Sequence, residues 1–432
     1  MLSARGFLYL TCSRFKNFYM INLLPSSGRA SGLKGTDRKR VQQKIKVIKT
    51  IYTHGYKTAM DICQELQASL PTITNLINEM LTEELIERKG KDESSGGRKP
   101  DLYGLKDNSI FILAINVGQN KTQMAIFNNN HQRISEVETF KIKFNGQEEN
   151  IQAIYELGQK FLDDSQINQD KLLGIGVTMP GLVDSKKGIN YSYFGKLSHT
   201  SLKSTLEAKF NKQVVFENDA KAMTLAEYKF GSRAGSSSIL GIYNDWGIGL
   251  GMVLEGKIYK GFSGFSGEFG HITMENEGGR LCVCGKQGCL ETVASGMAMV
   301  DFAREGFEQG KKSIMNAEIA NNLDGIDPDL IIQSALRGDQ HAISILNIVG
   351  TYMGRGIAVL IQLLNPEHII IGGKIAEAGG LILPSIHQAL NIYSMPQIRM
   401  ETKIEVSTLG REARMLGAIS VFMEEAFDSY LG

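Results

Sequence analysis

Apolar residues recur first at helical and then at strand spacing over the first hundred or so positions. Val41, Ile45, Ile48 and Ile51 mark one face of a helix that Thr36 or Asp37 can cap and Gly55 ends. Met60, Ile62 and Leu66 mark a short second helix. Ser69 stands at an N-cap with Pro71 in the first turn, opening a third helix through Leu81. Its apolar face is Ile73, Leu76, Ile77, Met80 and Leu81, and its polar face carries Thr72, Thr74, Asn75 and Asn78, short side chains suited to phosphates and base edges. Two short strands follow, Leu85–Lys89 and Leu102–Leu105, around a loop from Gly90 to Pro100 with basic ends. Three helices and a basic hairpin are the plan of a winged helix-turn-helix.

From residue 109 the grammar changes to strands alternating with helices. Ile110–Val117 and Thr122–Phe127 are apolar runs joined by Gly118-Gln119-Asn120-Lys121. The same strand, glycine turn, strand layout returns between Ser238 and Leu254. Helical patterns cover about 149–164, 200–209, 219–230, 291–308, 328–336, 339–364 and 411–428, the last with Met415, Ile419 and Phe422 on one face. The pattern predicts an α/β architecture in which one layout occurs twice, giving two lobes.

Composition narrows this picture. At 432 residues the chain exceeds one ordinary domain, and 42% apolar with 22% charged residues describes a globular protein with a large core. The net charge is only +1, so contact with nucleic acid must come from a local basic region. Residues 34–57 supply it, with eight lysines or arginines against one acid, Asp37. A small helical protein-interaction domain with a solvated basic face is the other reading of this head. No stretch reads as the roughly 20 apolar residues of a membrane helix. The apolar run Gly6–Cys12 is broken by Ser13, Arg14 and Lys16, so residues 1–33 are expected to be a disordered leader or the product of a start codon called too early, with Met20 then the true start.

The sharpest chemistry lies at His271 followed by Cys282-Val283-Cys284-Gly285-Lys286-Gln287-Gly288-Cys289. Three thiolates and an imidazole suit a tetrahedral, closed, structural Zn²⁺ site. Three buried thiols on a turn are the alternative. Glu268 lies three residues before His271, and Glu291 two after Cys289. An ion here would fix the loops bearing both carboxylates as acceptors for polyol hydroxyls. Upstream, Asn218 and Asp219 sit at a strand-to-helix turn where they either face a cleft or merely cap the helix.

These residues resemble the ROK family of repressors, open reading frames and sugar kinases, over about residues 36–430. The likeness is strongest to the repressor branch typified by xylose and N-acetylglucosamine repressors. Further segments carrying it are Gly97-Arg98-Lys99-Pro100, Gly174-Ile175-Gly176-Val177, Pro180-Gly181, Glu217-Asn218-Asp219-Ala220, Asn365-Pro366-Glu367 and Ile371-Gly372-Gly373. The resemblance implies a two-lobed, actin-like ATPase fold, a duplicated ribonuclease H-like unit, behind the winged head. It implies sugar contacts at Asn218, Asp219, Glu268, His271 and Glu291, and zinc ligands at His271, Cys282, Cys284 and Cys289. Asp219 matches the general base of the family's kinases. The family's nucleotide motifs are degenerate here: Asn116 replaces the aspartate of the first hairpin, and Asp245-Trp246-Gly247 replaces a glycine-threonine-glycine turn.

The expectation is therefore a cytoplasmic, sugar-responsive repressor. Its DNA-reading head spans 34–106, with Thr72, Thr74, Asn75, Asn78, Arg98 and Lys99 toward operator DNA. A sugar-binding domain spans 107–432, with a small lobe of about 107–224 plus 411–430 and a large lobe of about 225–410. The effector is a monosaccharide or amino sugar, free or phosphorylated, bound between the lobes. Structural zinc, a homodimer or dimer of dimers, and neither ATP with Mg²⁺ nor a catalytic residue complete the reading. An active sugar kinase with a regulatory DNA-binding head is the rival, and a repressor with an occluded sugar site answering to a partner protein is a third possibility.

Overall fold

The computed structural model describes residues 35–92, 99–118, 121–142, 147–193, 201–319 and 322–431. The leader 1–33, the loop residues Gly97 and Arg98, and Gln119-Asn120 of the first hairpin lie outside the described residues. By internal contacts the chain forms two units, residues 1–217 with 418–432, and residues 218–417.

In the first unit, α1 (Gly35–His54) begins before Thr36 and Asp37, the positions expected to cap it. Gly55 follows at φ +74°, a conformation that suits glycine at a helix end. A two-residue strand, β1 (Lys57–Thr58), precedes α2 (Ala59–Leu66), and Thr58 caps α2 in a reciprocal box with Asp61. Ile62 and Cys63 are the buried face of α2, which leaves Met60 on the outside, 61% exposed. The third helix, α3 (Leu70–Thr82), starts after Ser69, whose hydroxyl pairs with Thr72 Oγ1 at 2.8 Å and makes no bond to the helix backbone. Strands β2 (Ile86–Lys91) and β3 (Asp101–Leu105) form the wing, and β1 adds to β3 in the order β1-β3-β2. Ile45, Ile48, Ile51, Ile62, Ile73, Ile77 and Met80 close the core of this head.

The same unit continues with β4 (Phe111–Val117), β5 (Thr122–Asn128), β6 (Glu138–Phe140), β7 (Leu172–Met179), a separate two-stranded pair β8 (Val183–Asp184) and β9 (Ile189–Asn190), and β10 (Gln213–Asn218), the larger sheet having the order β10-β7-β4-β5-β6. The hairpin β4–β5 is antiparallel and β4 pairs with β7 in parallel. Because strand side chains alternate, Ile175 and Val177 of β7 join the apolar layer under α4 (Glu148–Asp164) and α5 (Leu202–Phe210). Gly174 and Gly176 face the other way, toward α14 (Glu412–Leu431). A Cβ on Gly176 would stand 2.1 Å from the Ala418 carbonyl oxygen, and one on Gly174 2.5 Å from the Phe422 ring. The glycines at these positions thus let helix and strand touch.

The second unit repeats the layout. Strands β11 (Ser238–Asn244) and β12 (Ile248–Leu254) form an antiparallel hairpin, short β13 (Lys257–Ile258) flanks it, and β14 (His368–Gly372) and β15 (Lys403–Val406) run parallel on its other side. The order is β13-β12-β11-β14-β15. Helix α6 (Asp219–Phe230) packs on the hairpin. The predicted helix at 291–308 is two helices, α7 (Glu291–Ala294) and α8 (Gly296–Glu308), because Ser295 leaves helical geometry at ψ 172° and caps α8 through the Ala298 N–H. Helices α9 (Met315–Ile319), α10 (Pro328–Leu336), α11 (Gln340–Leu364), α12 (Gly379–Tyr393) and α13 (Pro396–Arg399) complete the unit. Among the described residues α11 is long and apolar enough to cross a membrane, contrary to the reading that no stretch is. It is a core helix: Ile345, Leu346, Val349, Met353, Ile357 and Ile361 are buried among the apolar side chains of the unit.

Candidate functional site

The turn from His271 to Cys289 is shaped by backbone chemistry. Cys282 N–H donates to Lys286 O at 2.8 Å, and Gly285 N–H to Cys282 O at 2.9 Å, closing a tight knuckle. Gly288, at φ +73°, lies so close to the Glu275 carbonyl that a Cβ would stand 1.9 Å from it. The result brings the ligand atoms of His271, Cys282, Cys284 and Cys289 within 4.8 Å of one another. Cys282 Sγ is 3.4 Å from His271 Nδ1, and Cys284 Sγ is 3.6 Å from Cys289 Sγ.

These spacings test the expected ion. A tetrahedron around Zn²⁺ with Zn–S of about 2.3 Å and Zn–N of about 2.0 Å has edges of about 3.5–3.8 Å. The His271–Cys282 and Cys284–Cys289 spacings lie close to those edges, and 3.6 Å is far beyond a disulfide bond. Burial, with the neighbouring thiols adding to it, pushes Cys289 up to about 12. Such a thiol ionises only when a cation is close. The donor set therefore fits a metal ion held through Nδ1 and three sulfurs.

The frame then positions carboxylates. The other ring nitrogen of His271, Nε2, lies 3.9 Å from Glu268 Oε2. Glu291 opens α7 two residues after Cys289, and its Oε2 accepts the Ile248 N–H at 3.1 Å. Burial raises the Glu268 carboxyl above its usual range, with Glu291 adding to the shift and His271 and Lys221 opposing it. Glu268, His271 and Glu291 are thus brought together.

Asn218 and Asp219 divide their roles differently from the sequence reading. Asn218 is the helix cap: its Oδ1 accepts the Lys221 N–H at 3.1 Å. Asp219 is not the cap. Its Oδ1 accepts the Ala220 N–H at 2.8 Å, and its carboxyl is pushed up to about 6 by burial, the Ala220 bond opposing, with Asp245 raising it and Arg414 lowering it.

Two neighbours, Lys221 and Arg414, were not singled out in the sequence. Lys221 is buried, 3% exposed, donates to the Gly264 carbonyl and lies near Glu268, which links the Asn218–Asp219 end of α6 to the glutamate. Asp245 binds Arg414 at 2.5 Å and accepts the Lys374 N–H at 3.0 Å. The signals were faint: a lysine two residues past a strand-to-helix turn, and charges separated by 169 positions. Of the degenerate nucleotide positions, Trp246 stands on the surface of its turn, 42% exposed. Asn116, described in the other unit, is buried and donates through Nδ2 to Thr178 Oγ1 at 2.9 Å.

On the head, Thr74, Asn75 and Asn78 of α3 are exposed, while Thr72 is half-buried and shares its hydroxyl with Ser69. Lys99 is exposed at the base of the wing. Part of the basic charge of α1 is neutralised internally: Arg40 and Lys44 each reach Glu79 at 2.6 Å, and Lys44 reaches Glu83 at 2.7 Å. Although burial raises it, the Glu79 carboxyl stays below its usual range because these two cations hold its charge.

The fold and site define a class: a winged helix-turn-helix head on a duplicated, actin-like α/β domain that carries a His/Cys₃ cluster beside grouped carboxylates. The chain belongs to the ROK family, which residues 112–425 match. It is similar to the xylose repressor of Caldicellulosiruptor bescii, 30% identical over 385 residues that make up 88% of this chain and 95% of the relative. It is also similar to the crystal structure of a ROK family transcriptional regulator, a homolog of the E. coli MLC protein, with a TM-score of 0.76 at 27% identity over 91% of this chain and 98% of that one. A ROK family glucokinase from Streptomyces griseus, solved with glucose and AMPPNP, matches with a TM-score of 0.60 at 27% identity, covering 71% of this chain and 97% of the glucokinase.

Proposed function

We propose that this chain is a sugar-responsive transcriptional repressor that acts in the cytoplasm as a homodimer or dimer of dimers. Residues 34–106 read operator DNA, and residues 107–432 bind a monosaccharide or amino sugar through Asn218, Asp219, Glu268, His271 and Glu291. Zn²⁺ bound by His271, Cys282, Cys284 and Cys289 holds the frame. The observation that carries this reading is the reach of the similarity: 88% of the chain for the xylose repressor and 91% for the regulator, against 71% for the glucokinase. The ligand shifts operator affinity by binding one arrangement of the protein better than another.

The chemistry fits this assignment. Zinc, when bound, supplies a fixed Lewis-acidic anchor that aims His271 Nε2 outward beside Glu268. Glu268 and Glu291 supply hydroxyl acceptors, and Asp219 is the half-buried carboxylate whose charge Arg414 favours and Asp245 opposes. On the head, Thr74, Asn75 and Asn78 present donors and acceptors for base edges. Thr72, Arg98 and Lys99 serve phosphates, which position the head without reading sequence.

Selection of bound duplexes from a random pool tests the DNA half. A defined sequence should be enriched, and its affinity should fall steeply with salt as lysines and arginines release counterions. Asn75→Ala and Asn78→Ala should each relax the sequence preference by about 1–3 kcal/mol of discrimination, whereas Lys99→Ala should weaken all duplexes alike. A pool that emerges unenriched sinks the repressor reading.

The kinase alternative draws on Asp219, because a carboxylate near 6 suits a general base at neutral pH. Against it stands Asn116, whose amide donates to Thr178 where a carboxylate would be needed near the metal and phosphates. A coupled ATP-consumption assay with D-xylose, D-glucose and N-acetylglucosamine should find no sugar-dependent turnover. A rate on the order of 1 per second would install the kinase instead.

A further inference from the structure

The turn between β11 and β12 carries the chain's one tryptophan, Trp246, on a backbone that is fixed at three points. Asp245 N–H donates to Gly247 O at 3.1 Å, and the Asp245 and Trp246 carbonyls accept the Gly296 and Met297 N–H groups of α8 at 3.0 and 3.1 Å. Gly296 makes room for this, since a Cβ there would stand 2.1 Å from the Asp245 carbonyl oxygen. The Trp246 side chain is left in the open, 42% exposed, and so is that of Met297, to which its backbone is bonded.

The same turn touches the candidate sugar site. A Cβ on Gly247 would stand 2.6 Å from Glu291 Oε2, the oxygen that accepts the Ile248 N–H. With about 3.8 Å between consecutive Cα atoms, the Trp246 Cα lies within about 8 Å of that carboxylate. Asp245 raises the Asp219 carboxyl and Glu291 raises that of Glu268, so these charges sense one another. Four carboxylates therefore stand about this turn, and the cations beside them have partners. Arg414 holds Asp245 at 2.5 Å, Lys374 pairs with Asp329, and Lys221 donates to the Gly264 carbonyl.

An anion finds no seat in this arrangement. The N-terminal amides of α8 are the kind of group that takes a phosphate at a helix start. Here the turn's own carbonyls fill two of them, and Ser295 Oγ accepts the Ala298 N–H at 3.1 Å. Carboxylates suit neutral hydroxyls instead, because hydroxyls donate to them. A pyranose offers hydroxyls along its edge and C–H groups on its faces. An indole laid on such a face removes apolar area from water, and a tryptophan on a fixed backbone loses little conformational freedom in doing so.

We propose that Trp246 is the stacking platform of the effector site, and that it receives an uncharged sugar ring whose hydroxyls donate to Glu291 and the neighbouring carboxylates. The inference deepens the repressor reading and rests on it for the sugar class. As the one indole of the chain, Trp246 reports the contact without a label. Full-length, zinc-loaded protein is titrated with D-xylose, D-glucose, N-acetylglucosamine and the 6-phosphates of the last two, reading melting temperature and acrylamide quenching of Trp246. A sugar that raises the melting temperature should shield Trp246 from the quencher, and its 6-phosphate should bind about tenfold or more weakly because like charges meet. Trp246→Ala should weaken that sugar about tenfold and Trp246→Phe no more than about threefold, with zinc content and the ligand-free melting temperature unchanged. Undiminished affinity in Trp246→Ala, a bound sugar that leaves quenching of wild-type Trp246 unaltered, or a 6-phosphate that binds more tightly than its parent each overturns the platform and leaves the repressor reading standing. A melting temperature that none of the five compounds raises overturns the sugar reading and the platform together.

Discussion

Removing the metal, by chelation or by Cys289→Ser, should lower the melting temperature by about 10 °C and weaken sugar binding at least tenfold. Cys289 is fully buried, and its thiol is pushed up to about 12, so without a cation the knuckle closes around three thiols and an imidazole that no longer attract one another. Losing a structural metal belongs to the few changes that cost more than about 3 kcal/mol. At about 2–4 °C per kcal/mol for a unit of some 200 residues, this gives the stated drop. Sugar affinity falls with it because His271 reaches Glu268 through the nitrogen that the metal leaves outward, and Glu291 follows Cys289 by two residues. The check is thermal denaturation alongside elemental analysis and titration with D-xylose, D-glucose and N-acetylglucosamine. Metal-free protein that melts with the holoprotein would remove the structural role assigned to the ion.

Asp219→Asn should pull stability and binding in opposite directions. The Asp219 carboxyl rises from 3.8 to about 6 in the fold, chiefly through burial. A folded value above the unfolded one means that the folded chain keeps a proton the unfolded chain has released. That contribution is fully present below pH 3.8 and is lost as pH rises through about 6. At pH 7.5 wild-type protein therefore carries an ionised, half-buried group at a cost of about 1–2 kcal/mol, after allowing for solvent and for Arg414. The amide removes that cost. Asp219→Asn should melt about 3–6 °C higher at pH 7.5 and equally with wild type near pH 4, while binding sugar more weakly because an acceptor-only carboxylate is gone. A variant that melts lower than wild type at pH 7.5 would contradict this assignment of Asp219.

Features with a local cause were the ones legible in the sequence. The helices of the head follow from helical spacing and from Pro71, and the duplicated hairpins follow from two apolar runs around a glycine turn. The His/Cys₃ cluster was legible because its four donors lie within 19 residues of chain. What escaped depends on partners distant in sequence. The two-residue strand β1 exists only because β3 pairs with it. Met60 has apolar character but follows Thr58, whose cap turns Ile62 inward and Met60 out. Asn218 and Asp219 look interchangeable as caps until the Lys221 N–H selects Asn218. The Arg40 and Lys44 pairs with Glu79 and Glu83 likewise bring α1 and α3 together over 39 positions, so the charge of α1 overstates what remains for phosphates.

The central claim is that one chain reads DNA and lets a sugar change the reading. Its direct test is the dissociation constant of full-length, zinc-loaded protein for its selected duplex, measured by anisotropy at fixed salt with and without D-xylose, D-glucose or N-acetylglucosamine at saturating concentration. A coupling of about 1–3 kcal/mol predicts that one of these sugars moves the constant by roughly 5- to 150-fold. If a sugar binds and raises the melting temperature while the operator constant stays the same, the sugar-responsive repressor account is contradicted.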